Sequence, residues 1–208
     1  MKRGEYAKTA ERRRTILATA LEVFAESGFR GASIREIAAR VGMTDTGVLH
    51  HFGGKSKLLL EVVKQKEDED AGTLRDPYLR DLVARNGSRP GTVRLFTTLS
   101  AESTDPDHPA HEHFVDRYAS VRKLVAERLR GETSAGRLPS TIDPDLAARL
   151  VIAVMDGLQI QWLLDPSMEM ETAYNDFIDH YFAVTTAPGD QGKANPVVGQ
   201  PEGIFPGI

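Results

Sequence analysis

Apolar residues recur at intervals of three and four along most of the chain, and no stretch alternates with the period of two that marks a half-buried strand beside credible turn residues. Over residues 9–27, Ile16, Leu17, Ala20, Leu21, Phe24 and Ala25 fall on one helical face, with Thr9 placed to cap the start and Gly28 to end it. Ser33 opens a second helix, SIREIAARV, with Glu36 at the spacing of a capping box, and Gly42 stops it. Thr44 caps a third, short helix, TDTGVLHHF, which breaks at Gly53-Gly54; a fourth runs from about Lys55 to Asp70. Residues 77–85 and 91–103 each read as one helix, parted by the turn residues Asn86-Gly87-Ser88-Arg89-Pro90. A longer amphipathic helix spans His111 to about Thr133. Asp143 caps the next, with Pro144 at its first position, where proline is tolerated best. That helix, ending near Leu164, is apolar on more than one face, so it belongs at the centre or at an interface. A last helix is expected from about Glu169 to Val184.

The pattern predicts an all-α chain. It has a three-helix unit over residues 1–54, a larger helical part over 55–186, and a tail over 187–208 whose glycines and prolines predict disorder. Composition changes this little: 40% hydrophobic and 27% charged residues describe an ordinary globular protein. The absence of cysteine removes disulfides, thiolate metal sites and cysteine nucleophiles. No signal-peptide core precedes the first helix, and no apolar run approaches the roughly 20 residues that cross a bilayer, so a cytoplasmic protein without a membrane partner is expected.

Charge adds more. The net value of −4 hides an asymmetry: residues 1–66 carry an excess of basic side chains, and the remainder carries a larger excess of acidic ones. A basic end on an acidic body fits one end facing a polyanion. The alternative is chance clustering.

The chemistry sits in the two short helices joined by Val41-Gly42-Met43, a helix-turn-helix arrangement whose second helix can enter a major groove. The wider segment Ile16–Val63 places Ala20 and Phe24 in the first helix and Gly28-Phe29 before the turn. Ser33-Ile34 and Ile37-Ala38 follow in the second, Gly42-Met43-Thr44 at the turn, then His51-Phe52 and Lys55-Ser56-Lys57-Leu58-Leu59. In these residues the segment resembles the DNA-binding domain of the TetR, or tetracycline-repressor-like, family. The resemblance implies a dimer on double-stranded operator DNA, with a sensing domain behind the reading head and the last two helices packed on the partner's copies. It implies no cofactor.

Phosphate contacts come from hydroxyls, basic side chains and helix N-termini, which suits Ser33, Arg35, His51 and Lys55. Base readout falls to the start of the third helix, Thr44, Asp45 and Thr46, and to His50, with Gly47 allowing close approach. Leu49 departs from the family, which often has a phosphate-binding tyrosine there; that role passes to His50 or His51. Asp45-Thr46-Gly47 replaces a more usual polar or basic run. Arg12, Arg13 and Arg14 lie along the DNA backbone, reach a minor groove, or form a solvated helix face. Adjacent histidines point to different faces, so His50-His51 is not read as a metal pair.

For the remainder, a small-molecule effector, largely hydrophobic, is expected among Phe96, Leu99, Phe114, Tyr118, Met155, Gln159 and Trp162, each of which also reads as plain core. Glycine-rich phosphate loops, nucleophile elbows and metal-ligand clusters are missing, so no enzyme is expected. The expected function is a ligand-released repressor; an activator of the same fold, or an all-helical protein-binding adaptor, are the alternatives.

Overall fold

Nine α-helices and one 3-10 turn make up the regular structure of residues 2–186, which this computed structural model describes, with side chains from residue 8 to residue 182. The tail expected to be disordered, residues 187–208, lies outside the described residues. Helix α1 spans Lys2–Gly31, α2 Ile34–Arg40, α3 Asp45–Phe52 and α4 Lys55–Asp70. After the 3-10 turn Thr73–Arg75 come α5 (Arg80–Gly87), α6 (Pro90–Glu102), α7 (His111–Ser134), α8 (Pro144–Leu164) and α9 (Met170–Thr186).

The expected caps form at three starts. Ser33 Oγ accepts the Glu36 N–H at 3.1 Å, Thr44 Oγ1 accepts the Gly47 N–H at 3.1 Å, and Asp143 Oδ1 accepts the Asp145 N–H at 2.9 Å. Each satisfies a backbone donor that the first helical turn leaves open. The box at Ser33 does not close, because the Glu36 carboxylate turns to Arg40 at 2.8 Å.

Two starts differ from the expectation. α1 begins at Lys2, so Thr9 sits inside the helix and is not its cap. The residues before Thr9 are mostly good helix formers and extend the helix past the point where a cap is available. α5 begins at Arg80 instead of Pro77 because Leu79 adopts a left-handed backbone, φ 55°, with its side chain fully buried. Leu79 holds the cap position without a side-chain bond, and the Asp76 carboxylate accepts the Arg80 N–H at 2.5 Å and the Tyr78 N–H at 3.2 Å.

Two apolar clusters hold the helices together. The first joins α1 through α4 and takes in Leu95 and Leu99 of α6 and Phe114 of α7. The second joins α5, the rest of α7, α8 and α9, around the fully buried Tyr174 and Leu79. Tyr118 packs against both. Because α6 and the start of α7 contribute to the first cluster, the front three helices share their core with the body behind them. α8 has the length and apolarity of a membrane span, with a mean hydropathy of 1.3, contrary to the expectation that no run comes close. Here it is a core helix: Ala147, Val151, Ile152 and Met155 are buried against its neighbours.

Candidate nucleic-acid interface and ligand cavity

α2 and α3 turn about Gly42, whose backbone at φ 66° favours glycine. Ile37, Ala38, Val48 and Phe52 face inward and fix both helices on α1 and α4. The opposite surface is therefore dictated: Arg35, Thr44, Asp45, Thr46, Leu49 and His50 are exposed, Ser33 is exposed at the α2 N-terminus, and Gly47, His51 and Lys55 are half-buried. Leu49 stands 40% exposed, an apolar side chain on a polar face.

Arg13 does not reach outward. Its guanidinium sits 4.4 Å above the Phe52 ring, pairs with Glu61 and donates to the His51 carbonyl at 2.7 Å, pinning the end of α3 to α1 and α4. Arg12 and Arg14 remain exposed. Lys55 is partly engaged, with its ammonium 4.5 Å over the Phe29 ring and 3.5 Å from the Arg30 carbonyl. Burial lowers its pKa, with the Glu102 charge acting in the opposite sense.

A cavity of about 370 Å³ opens between the end of α4 and helices α5 to α8. Five expected ligand residues line it: Phe96, Phe114, Tyr118, Met155 and Gln159. The other two do not. Leu99 is fully buried on the side of α6 that packs into the first cluster, while Val93, Thr97, Ser100 and Thr104 form the stripe facing the cavity. Trp162 lies a turn beyond Gln159, past the cavity's end, and packs on the second cluster.

Sequence reasoning missed the charged residues of the wall. Tyr118 donates to Asp156 Oδ2 at 2.8 Å. Burial raises the Asp156 carboxyl, opposed by that hydrogen bond and by Arg117. Burial, together with Asp156, pushes the Tyr118 phenol up to about 12. Arg117 lies 4.6 Å over the Phe96 ring and donates to Glu67 of α4 at 2.8 Å, where His113 Nε2 also donates at 3.0 Å. Asp70, at the end of α4, accepts from Arg89 at 2.6 Å and pairs with Arg85 at 3.2 Å. The last turn of α4 is thus tied by Glu67 to Arg117, which lines the cavity, and by Asp70, itself a lining residue, to Arg85 and Arg89. The one available sequence signal was Asp156 itself, an acid within the apolar stretch 150–164.

Comparison with known proteins gives two family matches: bacterial regulatory proteins of the tetR family over residues 16–62, and the C-terminal region of BetI-type transcriptional repressors over residues 76–185. The chain is similar to the transcriptional repressor AcnR of Corynebacterium efficiens, 26% identical over 72% of this chain and 81% of that protein. It is also similar to the transcriptional regulator PksA of Bacillus subtilis, 24% identical over 75% and 80%. Among solved structures, a regulator from Saccharomonospora viridis in complex with choline superposes with a TM-score of 0.66 at 27% identity, over 82% of this chain and 97% of that one. FadR of Bacillus subtilis in complex with stearoyl-CoA superposes with a TM-score of 0.69 at 15% identity, over 82% and 97%, which shows a shared fold.

Proposed function

Because this chain belongs to the tetR family of bacterial regulatory proteins, with the C-terminal region of BetI-type repressors, we propose that it is a dimeric repressor released from its operator by a small molecule. The observation that carries this reading is the front face of α3. Thr44, Asp45, Thr46 and His50 stand exposed on a short helix whose back is fixed by buried Val48 and Phe52. A rigid helix presenting polar side chains from its first turn is what base readout in a major groove requires. Ser33, Arg35, His51 and Lys55 surround it as candidates for phosphate contact, and Gly47 leaves room for close approach. In this reading residues 1–54 form the reading head and 55–186 the sensing and dimer-forming body. The protein works in the cytoplasm, and no catalytic step belongs to it.

Dimerisation is assigned to α8 and α9. Leu146, Leu150, Ile160 and Leu164 of α8 are 36–81% exposed and follow helical spacing, an apolar stripe that a second copy would cover. A single helix-turn-helix reads few bases, and two reading heads must sit about 34–36 Å apart to enter successive major grooves. The cavity is assigned to the effector. α4 is the mechanical link, since Glu67 ties its far end to Arg117 of the cavity wall while its near end abuts α3. The S. viridis regulator holds choline and B. subtilis FadR holds stearoyl-CoA, ligands with little in common, so the chemistry of each wall must select its own.

The test is fluorescence anisotropy with DNA from the promoter region beside the protein's own gene, against an unrelated duplex at the same salt. Preference for the promoter fragment is expected; equal, weak binding to both overturns the reading. An effector that switches usefully must change operator affinity about 5–150-fold, and operator DNA must weaken effector binding by the same factor.

A further inference from the structure

α3, Asp45–Phe52, contains neither lysine nor arginine. Its exposed side chains are Asp45, Thr46, Leu49 and His50, and the one acid among them is Asp45. Cations stand on the helices beside it: Arg12 and Arg35 are exposed, as is Lys57, and Lys55 is half-buried. Two others are already engaged, Arg40 by Glu26 at 2.7 Å and Glu36 at 2.8 Å, and Arg13 by Glu61. Among the described residues no ion pair or hydrogen bond holds the Asp45 carboxylate. Leu49 lies four residues on, one helical turn along the same side, and is 40% exposed.

Both side chains are unsuited to the phosphate backbone. A carboxylate is repelled by phosphate, and leucine has no donor to offer it. In the major groove the choice of base is narrow. Guanine presents two acceptors, N7 and O6, and thymine presents O4, so each repels a carboxylate. Adenine offers its N6 amino group, but with the N7 acceptor beside it. Cytosine offers the N4 amino group with no acceptor next to it on that edge, and is the base that an acidic side chain accepts from. The usual reader of guanine, a bidentate lysine or arginine, is absent from α3. His50 supplies a single ring N–H at a time to an acceptor when neutral, which distinguishes little among purine N7 atoms and phosphate oxygens. For an exposed leucine the complementary group is the thymine C5-methyl, the apolar feature of the groove.

We propose that α3 selects its operator through a cytosine and a thymine in each half-site: Asp45 accepts from the cytosine N4 amino group, and Leu49 packs on the methyl of a thymine about two base-pair steps away. This rests on the reading above that α3 enters a major groove. The distance follows from the rise of about 1.5 Å per helical residue against about 3.4 Å per base pair. The carboxylate works by exclusion as much as by attraction, since a guanine or thymine at its position leaves an anion facing acceptors with no cation on α3 to offset it. Arg12, Arg35, Lys55 and Lys57 frame the helix with positive charge for the backbone, so affinity comes from the frame and sequence choice from the centre.

Selection by the native protein from a pool of randomised duplexes gives the preferred half-site, and fluorescence anisotropy on that duplex tests the two contacts. One cytosine per half-site should resist replacement, each other base costing about 5–150-fold in affinity. Asp45→Asn should remove that preference, and Asp45→Lys should move it to guanine. Replacing one thymine by deoxyuridine, which deletes only the methyl, should cost about 4-fold, the worth of one buried methyl, and nothing in Leu49→Ala. These substitutions fall on exposed side chains and leave the Thr44 cap and the buried Val48 and Phe52 in place. Indifference of the selected half-site to all of its cytosines or all of its thymine methyls overturns the assignment. So does a cytosine preference unchanged in Asp45→Asn, or a deoxyuridine loss undiminished in Leu49→Ala. In each of these cases a preferred sequence exists, and the regulator reading stands. If the pool yields no preferred sequence and every duplex binds equally weakly, the regulator reading falls and this assignment with it.

Discussion

Gly28 interrupts α1 with φ 65° and ψ −176°, a backbone region open almost only to glycine. A Cβ there would also run into the Glu102 carboxylate, which accepts the next N–H, that of Phe29, at 2.7 Å. The break and the bond work together: they turn the chain toward α2 and fasten the end of α1 to the end of α6. Gly28→Ala should therefore lower unfolding stability by about 1–3 kcal/mol in chemical denaturation. Adding Glu102→Ala should not restore it, because the backbone strain remains. The Lys55 ammonium lies over the Phe29 ring and beside the Arg30 carbonyl, at the edge of the α3 surface. Lys55→Ala should weaken binding to all duplexes alike and reduce the salt slope by about one unit. A loss confined to the operator sequence would make Lys55 a reader of bases instead.

At the scale of elements, α4 is the helix whose ends have different employers. Its first half is buried in the front core through Leu58, Leu59, Val62 and Val63, and its last turn is held by charge. Burial works to raise the Glu67 carboxyl, but the hydrogen bond from His113 and the Arg117 guanidinium outweigh it, so it sits below its ordinary value of 4.5. A carboxyl lowered by folding contributes stability that is present above its unfolded value and lost as pH falls through its folded one. Glu67→Gln should cost about 1–2 kcal/mol at neutral pH, as expected for hydrogen bonds to charged groups. The gap between variant and native protein should close as pH falls below 4.5. Melting curves at a series of pH values check this, and a gap that persists in acid would assign the loss to packing.

For the whole molecule, the exposed stripe on α8 is the feature that a monomer leaves unexplained. Leu164 is 81% exposed and Leu146 51%, on a helix whose other faces are buried or line the cavity. Leu150→Glu combined with Ile160→Glu should give monomers by light scattering, with helix content unchanged by circular dichroism. These monomers should bind operator DNA much more weakly, because each then engages one half-site. A native protein that is monomeric at micromolar concentration would reject this interface.

What the sequence by itself determined was local. The helices over 34–40, 45–52, 111–134 and 144–164, and the caps Ser33, Thr44 and Asp143, were legible because a cap or a periodic face depends on residues within about four positions of one another. The exposed face of α3 was legible for the same reason: once Val48 and Phe52 point inward, Thr44, Asp45, Thr46, Leu49 and His50 must point out. The tertiary structure alone decided everything that depends on partners far along the chain. Arg13 looked like a free cation until Glu61 and the His51 carbonyl claimed it, and Leu79 takes its left-handed backbone where its side chain is wholly enclosed. Leu99 and Trp162 share the apolar character of their neighbours, and only the packing of α6 and α8 sets them off the cavity. The pairing of Tyr118 with Asp156, 38 residues apart, leaves no mark in spacing or periodicity, since the two meet only when α7 and α8 pack side by side.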